Sequence, residues 1–181
     1  MDVLAHALWA GIGTVYAGRR IPISRRTAIG IVTLAVVPDV IQLAPLVPWL
    51  VAGDGTLAAL HAFVVAVPGQ EPHLPPLVQL FSHHLHCIMH SAPIAALVTL
   101  LLWLPRRRFW LPLAGWWSHI VIDIFTHSAA YYEVPVLYPF TERGFDGIAW
   151  NQPWFLVLNY AVLAVSIAAL YFTRRGRQPG A

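Results

Sequence analysis

The sequence predicts an all-α fold: a polytopic membrane helical bundle of about five transmembrane helices, with one extra helix at the interface. Three observations predict it. Hydrophobic residues make up 58% of the 181 and charged residues only 10%, against roughly 45–50% and about 25% in soluble domains. The apolar residues fall into runs, at about 3–17, 27–51, 86–104, 109–130 and 154–172, most of which approach the ~20 residues that cross the hydrocarbon as a helix. The 11 basic residues are all Arg, and ten lie in clusters at 19–26, 106–108 and 174–177, each flanking an apolar run. Such clusters orient membrane helices, so the net charge of +3 is no argument for nucleic-acid binding. At this length residues 1–181 form a single integral-membrane domain, and the lone Cys87 excludes an internal disulfide.

The first run, Val3 to Ala17, lacks the basic start of a signal peptide and reads as a retained helix, short for a span, with His6 near its beginning. Pro22 breaks the basic loop that follows, and Ser24 or Thr27 can cap the next helix. That second span, Thr27 to Val51, should kink at Pro38. Asp39 then stands near mid-membrane, where a carboxylate is costly unless protonated, paired or metal-bound. Between Ala52 and Leu85 the breakers Gly53, Gly55, Pro68, Pro72, Pro75 and Pro76 leave room for one interfacial helix within 56–67, with His61 and His73 as solvated or interfacial side chains.

The third span starts in a histidine-rich run in which His83, His86 and His90 share one helical face. Of these, His90 lies within a turn of apolar sequence and reads as a ligand. The fourth span carries the densest chemistry, Ser118-His119-Ile120-Val121-Ile122-Asp123-Ile124-Phe125-Thr126-His127. At about 100° per residue, His119, Asp123 and His127 drift only some 40° per step and line one face. His119 and His127 stand about 12 Å apart along the axis, too far to share an ion. Either His119 with Asp123 or Asp123 with His127 could chelate as an i, i+4 pair. A polar-aromatic connection, 131–153, follows, and the fifth span, Trp154 to Phe172, has no ionisable side chain and reads as a wall.

With five spans the Arg clusters fall on one side, which the positive-inside rule makes the cytoplasm, with the N-terminus outside the cell inner membrane. His6, His90, His119, Asp123 and His127 then gather in the outer half of the bilayer, with Asp39 near its middle. The two long connections, 52–85 and 131–153, cover that side.

The set of His6, Pro38-Asp39, His90-Ser91, Ser118-His119-x-x-x-Asp123-x-x-Thr126-His127 and Gly147-x-x-Trp150-Asn151 resembles the YdjM-like bacterial inner-membrane metal-dependent hydrolases, a family distantly akin to zinc-dependent phospholipase C. The likeness covers most of the chain and implies a helical membrane hydrolase with His6, Asp39, His90, His119 and Asp123 as its metal ligands. This chain departs from many relatives at Ile41, where they carry a second acid, and at Leu85, where they carry a His-Arg pair.

Imidazole and carboxylate ligands suit Zn²⁺, as one or two divalent ions. The expectation is metal-dependent hydrolysis of a lipid or lipid-linked ester or phosphoester, with Asp39 or His127 as base or orienting group. The bilayer is the expected partner, and no nucleic acid is expected. Two other classes also place His and Asp in spans: a metal or proton transporter, and a non-catalytic membrane protein with a structural metal site. No internal repeat of a broken helix favours the transporter.

Overall fold

The computed structural model describes residues 1–175. Eight helices run in chain order: α1 Val3–Ala17, α2 Arg25–Ile41, α3 Leu46–Val51, α4 Leu57–Val64, α5 Pro76–Met89, α6 Ala92–Arg106, α7 Leu113–Thr126 and α8 Pro153–Arg175. There is no strand among the described residues, only an isolated bridge between Ser128 and Tyr131. The all-helical class therefore holds, while the division into spans differs from expectation.

α8 is the one described helix long and apolar enough to cross a membrane by itself, over Pro153–Thr173. Its exposed Val157, Val165 and Phe172 form an apolar surface that suits lipid. The basic run after it is described only through Arg175, so Gly176 and Arg177 lie outside the described residues. α1 keeps the expected bounds at 15 residues, about 22 Å of helix against ~30 Å of hydrocarbon. Asp2 caps it by accepting from the Ala5 N–H at 3.0 Å.

Three expected spans are corrected. The run 27–51 is not one helix. Pro38 sits buried inside α2, which ends three residues later, and a turn over 42–45 separates it from the six-residue α3. A proline removes a backbone donor and crowds the preceding turn, and here the helix stops soon after it. The run 86–104 is broken at His90-Ser91, where α5 and α6 meet at 65° and only together have the length and apolarity of a span. Ser91 caps α6 by accepting from the Ile94 N–H at 3.2 Å, and Pro93 follows in the first turn, where its missing donor costs nothing. The run 109–130 is helical only over the 14 residues of α7, since Pro112 precedes it and His127 is extended.

The centre is the packing of α7 and α1 on α2. At Gly115 a Cβ would stand 2.8 Å from the Ile31 carbonyl carbon and closer to its oxygen, so the two backbones meet with no side chain between them. Ala10, Ile31 and Ala35 form the apolar seam beside this crossing, and Trp116, Ile120, Leu113 and Ala95 fill the space towards α6. α8 joins through Met1, Ala5 and Leu163 and through Trp9, whose Nε1–H donates to Asn159 Oδ1 at 2.9 Å.

The basic loops gather at one end. Arg19 donates to Thr173 Oγ1 at 2.6 Å, and Thr27, Arg106 and Arg108 line one surface hollow. His6, near the start of α1, and Asp39, near the end of α2, lie away from the 19–26 loop that joins these two helices.

Candidate metal centre

α7 supplies the floor of the site. His119 and Asp123, four residues apart on its inner face, are fully buried, and His119 Nε2 lies 3.1 Å from Asp123 Oδ2. The break between α5 and α6 brings in His90, with Nε2 3.4 Å from Asp123 Oδ2 and 3.6 Å from Asp39 Oδ1. α2 delivers Asp39, whose Oδ1 is also 3.6 Å from His119 Nε2. α1 delivers His6, stacked on the His119 ring at 3.9 Å with Nε2 2.9 Å from Asp123 Oδ1. Five residues separated in sequence by up to 117 positions thus converge, and Asp39, His90, His119 and Asp123 form a group able to hold a metal ion.

Hydrogen bonding fixes the imidazole tautomers. His119 Nδ1 lies 2.8 Å from the Ala35 carbonyl, and His90 Nδ1 lies 2.8 Å from the His86 carbonyl. A carbonyl only accepts, so both Nδ1 atoms carry the proton and both Nε2 atoms of the neutral rings present lone pairs. Those two Nε2 atoms face each other at 3.0 Å, beside carboxylate oxygens that also only accept. Such a ring of acceptors repels itself in a buried place unless a proton on one Nε2 or a metal ion joins it. A tetrahedral ion with bonds of 2.0–2.2 Å separates its ligand atoms by about 3.3–3.6 Å, and the separations of 3.0 to 3.6 Å around His90, His119, Asp39 Oδ1 and Asp123 Oδ2 lie at or slightly below that range. The residues fit a divalent metal.

The carboxylates divide their oxygens between two sides. Asp39 Oδ1 and Asp123 Oδ2 turn to His90 and His119, whereas Asp39 Oδ2 and Asp123 Oδ1 turn to His6, at 3.9 and 2.9 Å. The Met1 nitrogen also donates to Asp123 Oδ1. Asp39 Oδ2 has no hydrogen-bond partner, nor has His6 Nδ1.

His127 does not continue the helical stripe, because it caps α7 in extended conformation, φ −118° and ψ 159°. It remains beside the centre: Nδ1 is 3.2 Å from the Asp123 carbonyl and 3.7 Å from Asp123 Oδ1. It therefore belongs at the rim. His86 contributes its carbonyl and packs its ring on His90 at 4.1 Å. His61 and His73 are exposed, as expected for the connection.

Backbone partners were invisible in the residue pattern. The connection after α7 returns across its C-terminus: the N–H groups of Gly147, Ile148 and Trp150 donate to the carbonyls of His127, Phe125 and Thr126 at 2.8, 3.0 and 2.9 Å. Gly147 must be small, since a Cβ there would lie 2.6 Å from the Phe125 oxygen. The same connection crosses the helix break, where Ser91 Oγ donates to the Tyr138 carbonyl at 2.5 Å and Trp116 Nε1 to that of Met89 at 2.5 Å. It also ties to the other connection, Tyr132 Oη donating to Glu71 Oε1 at 3.0 Å. Burial pushes the Tyr132 phenol well above its usual range, and the Glu71 carboxylate adds to that shift.

Comparison with models of protein families, with curated proteins and with solved structures finds no match.

Proposed function

We propose that this protein is a membrane-bound, metal-dependent hydrolase, acting on a lipid or lipid-linked ester or phosphoester from the outer side of the cell inner membrane, with Zn²⁺ as its metal. The observation that carries the reading is the buried pair of Nε2 lone pairs, 3.0 Å apart, each held by a carbonyl behind its own ring and flanked by two carboxylates. A divalent ion bound there supplies a Lewis acid and a water acidified towards neutrality. The chain's own groups supply the rest. His90, His119 and Asp123 hold the ion. Asp39, the least buried of the four, turns Oδ1 to the same space as the His90 and His119 Nε2 atoms, where it is placed to take a proton from water. His127 at the rim, with Nδ1 on the Asp123 carbonyl, orients that segment and offers Nε2 as a second acceptor.

In this reading α1, α2, α7, α8 and the bent pair of α5 and α6 make up a five-span bundle with the N-terminus outside. Support comes from the basic loops, which meet at the end remote from His6 and Asp39, and from the exposed apolar faces of α6 and α8. Short helices need the connections to complete the thickness of the bundle. A centre in its outer half stands at the depth of a lipid's ester or phosphate linkage, a few ångströms below the headgroup surface, which favours a lipid over a soluble substrate.

A transporter needs an ion path through the other half of the bundle. The contact of α2 with α7 at Gly115 and the apolar seam of Ala10, Ile31 and Ala35 leave little room for one, which favours chemistry at a one-sided site. Zinc-loaded protein in vesicles of total bacterial lipid tests the choice, with lipid products and metal flux followed together. A lipid product that disappears in Asp123→Ala, without flux, is the expected result. Metal uptake abolished by Asp39→Asn, with no lipid product, would overturn the hydrolase reading.

A further inference from the structure

A second cluster lies outside the centre, on the first half of the histidine-rich run. His83 and Cys87 are four residues apart on α5 and so share a helical face. Cys87 is free and buried, while His83 stands at the surface above it. The connection after α7 adds Glu142, and the three donor atoms lie within 4.8 Å of one another. His83 Nε2 is 3.6 Å from Cys87 Sγ and 3.4 Å from Glu142 Oε1.

Hydrogen bonding accounts poorly for this arrangement. One ring nitrogen faces both partners, and a single N–H cannot point well at two. The 3.4 Å separation from the carboxylate is also longer than the 2.7–3.2 Å of good N–H···O bonds. Metal bridging gives those separations directly. A tetrahedral Zn²⁺ with Zn–S of ~2.3 Å, Zn–N of ~2.05 Å and Zn–O of ~2.1 Å spaces sulfur and nitrogen about 3.6 Å apart and nitrogen and oxygen about 3.4 Å apart.

We propose that His83, Cys87 and Glu142 form a second metal site, distinct from the buried centre, that binds a thiophilic divalent ion such as Zn²⁺ and leaves one coordination position open to solvent. The charges suit it, since a thiolate, a carboxylate and a neutral imidazole balance a divalent ion. The thiol proton leaves to solvent when the metal binds. Sulfur also separates the two sites chemically, because the buried centre offers only nitrogen and oxygen. An ion here clips the connection to α5. That connection already crosses the helix break through Ser91 and the end of α7 through Gly147, Ile148 and Trp150, so the clip steadies the cover of the buried centre.

Cobalt substitution of the full chain in detergent reads the two sites separately. With Co²⁺ the wild type should show a near-ultraviolet thiolate-to-cobalt charge-transfer band in addition to visible absorption from the buried centre. Cys87→Ala should lose the band, this site's share of the visible absorption and one equivalent of metal, while keeping the visible absorption of the buried centre. Glu142→Gln, an exposed change with little bearing on folding, should shift the titration of that band by about 10-fold or more, the least expected for losing a direct ligand when outer partners cost 10–100-fold. A wild type without the band, or a Glu142→Gln titration that overlays the wild type, overturns the proposal. Failure of the buried centre appears differently, as visible absorption unaffected by His119→Ala while the charge-transfer band persists.

Discussion

Substituting Gly115 by Ala should lower metal binding severalfold although Gly115 supplies no ligand atom. The added Cβ would overlap the Ile31 carbonyl oxygen and stand 2.8 Å from its carbon, where ordinary contact begins at 3.4 Å, so the carbon alone sets only a lower bound on the movement. The obstacle is backbone on both helices, so rotamer changes cannot relieve it, and α2 must move from α7 by at least about 0.6 Å. Metal ligands tolerate about ±0.2 Å. The same displacement stretches the 2.8 Å hydrogen bond from His119 Nδ1 to the Ala35 carbonyl and separates Asp39 on α2 from His119 and Asp123 on α7. Overpacking costs roughly 1–3 kcal/mol in side-chain cores, and a clash with backbone lies at or above the top of that range, so circular dichroism must show that the variant is folded before its metal content is read. The assay pairs elemental analysis of purified protein with circular dichroism. Helical content should stay near wild type while bound metal falls severalfold. Gly13→Ala is the matched control, since nothing lies within 4 Å of a Cβ there, and it should keep its metal and gain about 0.5–1 kcal/mol from the better helix former. Wild-type metal content in Gly115→Ala would refute the argument that the crossing of α2 and α7 sets the site.

Other outcomes follow from the same structure. His119→Ala or Asp123→Ala should remove most of the metal at the buried centre, whereas His61→Ala and His73→Ala, both exposed, should leave it unchanged by elemental analysis. For topology, single cysteines at Asp54 and Arg143 in a background lacking Cys87 should react with an impermeant thiol reagent on intact cells or spheroplasts, and one at Arg108 should not; the reverse pattern contradicts an outer-facing site. Trp9→Phe strips the Nε1–H from buried Asn159 and should cost about 1–3 kcal/mol, while adding Asn159→Leu should recover most of that loss in thermal unfolding, because neither polar partner then remains.

Chemistry was more legible in the sequence than geometry. The apolar runs and the Arg clusters beside them point to an all-helical chain, and ionisable residues in such runs are few enough to stand out, so Asp39, His90, His119 and Asp123 draw attention from the residues alone, while the family resemblance adds His6 as a ligand. An i, i+4 pair such as His119 and Asp123 is also a local fact, since both side chains ride on one helix. Helix ends were less legible. Hydropathy measures how apolar a run is and is blind to where its backbone turns, so the stops after Ile41 and at His90 were hidden inside runs that look continuous. The tertiary structure decided what depends on two segments meeting. The Ala35 and His86 carbonyls that fix the imidazole tautomers leave no trace in residue type, because every residue has a carbonyl. His127 left the stripe because α7 stops at Thr126. Glu142 reached His83 and Cys87 only because its connection returns across the helix break, a path of backbone hydrogen bonds that no periodicity encodes.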